Sequence, residues 1–379
     1  LRMPVGWNRL NLQLVGIWPE PTVTRDASPT FRPVIVAVWL AVFVTLPQVA
    51  NLFMLNGDLD EITQTLCMAL MPSLIAILKI IFTLYYREGL KLLVKCFYDD
   101  WRSSKTEEER TVMLAAAKVW SFISTLSTIL SHVLIPVFLV IRTFTIYTYG
   151  RYQESQMHLL LYIGYFPFNL RSTSIMLLIN VGQAAAAYCL TIPYTGVDGF
   201  IAMLMLHTCS QFENLRMKLE GLMDEKNRAR RSVDQVQKEL VWIVNRHEHL
   251  NWVVSKIEQY YNKVLLVQVV LITIEICLQA FLFLNVIILL SYLCACICEL
   301  LYHPVCVNNG MGNSAYNSSW FNVSPREAKW LLFIMNRSIR PLQLTAGNFS
   351  TFSIDMFSTI LRSSMGYLSV LLTVQAGKD

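Results

Sequence analysis

The stretch Val264–Tyr302 reads VLLVQVVLITIEICLQAFLFLNVIILLSYLCACICELLY and is almost wholly apolar for 39 residues. As one helix rising 1.5 Å per residue it would be about 58 Å long, nearly twice the hydrocarbon core of a bilayer. It therefore holds two crossings joined by a tight turn, placed near Asn285. The rest of the chain has the same character: of 379 residues, 54% are hydrophobic and only 15% charged, with a mean hydropathy of +0.45. A soluble domain carries about a quarter charged residues, so the sequence predicts a polytopic, all-α membrane protein.

Outward from that stretch, apolar runs of spanning length occur at Val34–Leu55, Ile62–Leu84 and Val119–Ile141, with Pro47, Pro72 and Pro136 expected to kink them. A fourth begins near Ser172. It continues to about Phe212 through the turn-like PYTGVDG at Pro193–Gly199, and is read as one helix running on past the membrane. The last run is Asn348–Gln375, giving seven transmembrane helices. Residues 1–33 hold no apolar run, so the first helix is expected to act as its own signal.

Charge sets the orientation. The N-terminal segment and the loops on its side carry 25 Lys and Arg, against 4 on the other side. The positive-inside rule then places the N-terminus in the cytosol and the C-terminus outside. That is opposite to a G-protein-coupled receptor, and neither an acidic-Arg-aromatic triplet closing the third span nor an Asn-Pro-x-x-Tyr in the seventh is present. The sequons headed by Asn317, Asn322 and Asn336 fall on the cytosolic side in this topology. Four regions follow: a cytosolic segment 1–33, six crossings over 34–303, a cytosolic helical region 304–346, and a seventh helix with a short extracellular tail over 347–379.

The seventh span is unusual for its polar content: Asp355, Arg362 and nine serines and threonines in NFSTFSIDMFSTILRSSMGYLSVLLTVQ. On a helical wheel Asp355, Thr359, Arg362, Gly366, Ser369 and Thr373 form one stripe, with Met356, Ile360, Leu361 and Leu371 behind it. Such a stripe faces either a water-filled path or another helix. Before it, SPRE at Ser324–Glu327 carries the signature of a helix start, with Ser324 as cap, and the helix is expected over Ser324–Arg340.

AYNSSW (Ala315–Trp320), SPREAKWLLFIMNRSIRPLQLTAG (Ser324–Gly347) and NFSTFSIDMFSTILRSSMGYLSVLL together resemble the C-terminal signature of the insect odorant receptors. YFPFN (Tyr165–Asn169) extends the likeness more weakly. The resemblance implies an odorant-gated, non-selective cation channel, a heterotetramer of a variable tuning subunit with a common co-receptor. The compact Glu213–Lys263 connection looks like a tuning subunit. The related gustatory receptors end on a Thr-Tyr-(five apolar)-Gln-Phe pattern of which only Tyr367 survives here. The alternatives are a gustatory channel or a seven-span receptor acting through intracellular partners.

The same resemblance makes the last helix the pore wall and puts Val370, Thr373 and Val374 at gate and filter positions. It makes the region before that helix a subunit anchor, with Trp320, Trp330 and Phe333 as contacts. It sets the ligand pocket in the outer half of the bundle, among the second, third, fourth and sixth helices. Depth then selects Met68, Met71, His132, Ile135, Phe138, Leu177, Asn180, Leu289 and Tyr292, each of which also reads as ordinary packing. The implied partners are a small volatile odorant, the co-receptor and the lipid bilayer, in the plasma membrane of olfactory sensory neurons.

Enzymatic, cofactor and nucleic-acid chemistry is not expected. Cys294, Cys296 and Cys298 stand two apart on a helix and point about 200° from one another, so their thiolates do not converge on a metal. RHEH at Arg246–His249 lacks the i, i+4 histidine pair of a zinc site. Nine cysteines, none in the outer loops, argue against a disulfide framework. Glu275 and Lys79 are expected as buried pairs or interfacial groups.

Overall fold

The computed structural model describes residues 6–21, 31–55, 59–103, 105–149, 159–168, 170, 172–282, 305–318, 320, 323–339, 343–351 and 353–376. Five of the described helices are long and apolar enough to cross a membrane: α2 (Phe31–Met54), α3 (Glu61–Tyr85), and the membrane parts of α5 (Glu107–Tyr149), α6 (Thr173–Met223) and α8 (Val233–Leu282). They answer to the first five expected crossings. The turn near Asn285, the sixth crossing and the Cys294–Cys298 run lie outside the described residues. Helix α11 (Ile354–Ala376) has 23 residues and is about 35 Å long, enough to cross, although more polar than the others.

Pro47 and Pro72 do more than bend their helices. Directly before each, the helix widens into a π-turn, Ala41–Thr45 and Leu66–Leu70, and the amides of Leu46 and Met71 reach back five residues to Ala41 and Leu66. A proline inside a helix clashes with the carbonyl four residues back, and the wider turn relieves that clash. The two wide turns face each other, with Thr45 Oγ1 and Ser73 Oγ 3.0 Å apart in the buried interior. Pro136 lies within the 43-residue helix α5 and Pro193 within the 51-residue helix α6.

PYTGVDG is helical, and other parts of the chain explain its composition. The N-terminal helix α1 (Gly6–Val15) packs along α6 over the glycines. A Cβ on Gly196 would stand 2.9 Å from Leu12 Cδ2, and one on Gly199 3.5 Å from the Asn8 side chain. Helix α1 ends at Gly16, whose φ of +84° suits glycine, and the Gly16 and Ile17 amides both return to the Leu12 carbonyl at 3.0 and 2.9 Å. Asp198, inside the same segment, is the partner of Lys79.

Helices α6 and α8 run past the membrane-spanning bundle into a base. There they meet α4 (Arg87–Arg102), the short α7 (Glu225–Ala229), α9 (Val305–Asn317) and α10 (Pro325–Ser338). One buried core joins α1, α4, α6, α8 and α10 through Leu12, Phe97, Phe200, Leu240, Ile257 and Leu331. Helix α10 begins as its sequence predicts, with Ser324 and Glu327 forming a reciprocal capping box, and ends at Ser338. Glu327 also takes Arg228 at 3.0 Å, tying α10 to α7.

A short hairpin with a three-residue loop leads into the last helix. Strands β1 (Thr345–Ala346) and β2 (Ser350–Thr351) pair antiparallel through Gly347 and Asn348, both at positive φ. The Gly347 amide donates to the Asn262 carbonyl at 2.9 Å, and the Thr345 amide donates to Glu258 Oε2 at 2.9 Å. The start of α11 is thereby fixed to α8.

Candidate functional site: an outer cavity and a polar helix face

At the end of the bundle away from the base, residues 159–168 fold back among the helices. Their sequence, LLLYIGYFPF, is apolar enough to bury, and Leu160, Leu161, Tyr162 and Phe166 do so. Backbone groups of a buried loop need partners, and α6 supplies them from two side chains one turn apart on one face. Asn180 accepts the Leu161 amide at 2.8 Å and donates to the Leu159 carbonyl at 3.2 Å. Gln183 accepts the Tyr162 amide and donates to the Tyr162 carbonyl, both at 3.0 Å. A further bond runs from the Tyr165 amide to the Pro47 carbonyl at 2.9 Å.

Under this loop lies a cavity of about 30 Å³. Its walls come from α2 (Gln48), α3 (Gln64, Thr65, Met68), α5 (Phe138, Arg142) and the loop (Leu161 to Ile163). Phe138 and Tyr162 stack at 5.5 Å between centroids, and Arg142 donates to the Leu160 carbonyl at 3.2 Å.

The pocket residues expected from depth are distributed unevenly around this cavity. Met68 and Phe138 line it, and together with Ile135 they pack on the apolar cluster that contains Tyr162. Met71 is buried on α3. Asn180 sits behind the loop with its oxygen and its nitrogen both engaged. His132 is on an exposed face, its Nδ1 2.9 Å from the Thr128 carbonyl and its ring 6.5 Å from Tyr188, and Leu177 is exposed. Leu289 and Tyr292 lie outside the described residues. Gln48, Arg142 and Tyr162 were not anticipated. The signals for them were a lone amide beside a proline in an apolar span, a lone arginine at a span's end, and an apolar run in a loop.

The second feature is the face of α11. Asp355, Thr359, Arg362, Gly366, Ser369 and Thr373 are all exposed on the protomer, as is Val370, while the side chain of Val374 lies outside the described ones. Opposite Asp355 on the wheel, Ser364 is buried and donates to the Thr273 carbonyl of α8 at 3.0 Å. Met356 and Ile360 pack on the same side. Thr359, Ser369 and Thr373 donate their hydroxyls to carbonyls of their own helix, leaving oxygen lone pairs along the outer surface. Among the described residues neither Asp355 nor Arg362 has an ion-pair partner within the protomer.

In the base, Trp330 packs against the core, whereas Trp320 and Phe333 are exposed. A polar cluster joins three elements there. Asp100 on α4 takes His207 Nε2 at 3.1 Å and Arg246 at 2.5 Å, and Gln211 accepts from Lys105 at 3.2 Å. The described residues contain no group of side chains able to hold a metal ion.

Comparison with known proteins fits this architecture. The family model described as "7tm Odorant receptor" matches residues 58–365. The chain is 23% identical to Odorant receptor 13a of Drosophila melanogaster over 404 aligned positions, covering 96% of this chain and 94% of that one. It is 24% identical to Odorant receptor 10 of Aedes albopictus over about half of each chain (53% and 55%). The fold superimposes on the olfactory receptor OR5 of Machilis hrabei, solved in complex with eugenol, with a TM-score of 0.81, 97% coverage of both chains and 16% identity. The TM-score to the same receptor solved without that ligand is 0.78. The chain is a multi-pass membrane protein and belongs to the insect odorant receptor family.

Proposed function

We propose that this chain is the odorant-binding, tuning subunit of a ligand-gated, non-selective cation channel. It crosses the plasma membrane of an olfactory sensory neuron seven times, with its N-terminus cytosolic, and assembles as a heterotetramer with a co-receptor. The carrying observation is the exposed polar face of α11. A helix of membrane length cannot present an aspartate, an arginine and a row of hydroxyls to hydrocarbon without a large cost. Its apolar back is already taken by α8. Water in a central pore, flanked by the same helix of other subunits, covers the stripe at least cost, with Val370 and Thr373 toward the outer end as gate and filter.

The outer cavity supplies the ligand end, with Met68, Phe138 and the buried loop as its apolar walls. The base, with α10 and its exposed Phe333, supplies the surface through which subunits hold together. The experiment is a whole-cell recording with a co-receptor present, against an odorant panel, with Val370 and Thr373 substituted. Odorant-evoked currents with altered ion selectivity or block support the assignment. Currents unaltered by either substitution contradict it.

A further inference from the structure

Gln48 stands at the outer end of α2, one residue after the proline that the π-turn accommodates. Its side chain lines the outer cavity and is only 1% exposed, yet neither Nε2 nor Oε1 meets a hydrogen-bond partner among the described residues. Two other polar groups of the wall differ in this respect. Arg142 donates to the Leu160 carbonyl at 3.2 Å, and Thr65 accepts from Asn51 at 3.5 Å. A buried amide without a partner is costly, and one that faces a cavity directs whatever enters.

We infer that Gln48 selects the ligand by hydrogen bonding, so that this receptor takes oxygenated volatiles and discriminates against hydrocarbons of the same skeleton. This rests on the odorant-binding reading above. The amide can meet both kinds of oxygen: its Nε2–H donates to the carbonyl of a ketone, aldehyde or ester, and its Oε1 accepts from an alcohol hydroxyl. At about 30 Å³ the cavity matches one small polar group and not a whole odorant. It is therefore the seat of the functional group, and the alkyl part lies against Met68 and Phe138, which must shift to admit it. A hydrocarbon entering the same space excludes water from the amide without replacing its bonds.

The test is a set of concentration–response curves with a co-receptor present, using a ketone, an alcohol and an alkane of one carbon skeleton, on wild type, Gln48→Met and Gln48→Glu. Surface labelling runs in parallel. Wild type is expected to respond to the oxygenated compounds at concentrations at least about tenfold lower than to the alkane. Gln48→Met, close in volume and apolar, brings the three compounds to near parity. Gln48→Glu, where the Arg142 guanidinium of the same wall keeps the carboxylate ionised, shifts the preference from the ketone toward the alcohol, because an ionised carboxylate only accepts. The inference is overturned if wild type responds to the alkane as well as to the ketone. It is equally overturned if a surface-expressed Gln48→Met keeps the preference, or if neither variant reaches the surface, which would assign the amide to folding. If surface-expressed wild type gives no current with any volatile, it is the channel reading that fails.

Discussion

Lys79 Nζ lies 2.6 and 2.7 Å from the two carboxylate oxygens of Asp198, and 2.7 Å from the carbonyl of Tyr194, in a part of the bundle closed to solvent. Gln268 adds a bond to Asp198 Oδ2 at 3.3 Å, so α3, α6 and α8 meet at one carboxylate. Taking either charge out of water is expensive, and the pair survives because each desolvated group has several partners. Lys79→Met would leave Asp198 uncompensated and is expected to cost about 3–5 kcal/mol, seen as a large drop in melting temperature and surface expression. The double variant Lys79→Leu with Asp198→Leu should recover most of the loss. A single variant as stable as wild type would show that the pair contributes little.

Gly347 is the second sensitive point. At φ +59° an L side chain is strained by about 1–2 kcal/mol, and a Cβ there would stand 2.4 Å from Leu266 Cδ2. Because the hairpin fixes the start of α11 to α8, Gly347→Val should reduce odorant-evoked current more than surface expression. Gly347→Ala, with less bulk against Leu266, should fall between it and wild type. Equal loss of current and expression would make the glycine important for folding alone.

The base should respond to pH through His207. Burial holds its imidazole below the ordinary histidine value, against the hydrogen bond and charge of Asp100, and Arg246 and Lys105 act in the same direction as burial. Burial alone would raise Asp100, but His207 and Arg246 together hold it below the usual carboxylate range. The neutral ring therefore donates Nε2–H to an ionised Asp100. The unfolded chain takes up the histidine proton near pH 6.5, before the folded one does. The stability from this group is thus fully present above that pH and lost as pH falls toward the folded value. Melting temperature of the purified protein should decline as pH drops from about 7 to about 5.5. His207→Gln should flatten part of that slope, with His249, also lowered chiefly by burial, retaining some of it. An unchanged slope would remove His207 from the account.

The crossings were legible because membrane length and hydropathy are local properties of the chain. So was the start of α10, since a capping box is written in four consecutive residues. What escaped was settled between distant segments. Helix α9, VCVNNGMGNSAYN, is rich in asparagine and glycine and has no helical signature; it forms because Met311 and Ala315 bury fully and Gly312 lets it approach Ser338. The helix through PYTGVDG was legible, but not the reason for its turn-like composition: its glycines are where α1 lies and its aspartate is where Lys79 binds. The outer cavity was half legible. Met68 and Phe138 follow from depth, but the bond pattern that occupies Asn180 and leaves Gln48 open exists only once the loop has folded back.

The central claim, that α11 turns its polar face to a water path and its back to α8, is tested most directly by single cysteines at Ser369, Thr373 and Ser364. Each is expressed with a co-receptor and exposed to a charged, water-soluble thiol reagent during odorant-evoked current. The account predicts that Ser369→Cys and Thr373→Cys react and change the current, while Ser364→Cys, buried against Thr273, does not. Reaction at Ser364→Cys with none at the other two would contradict it.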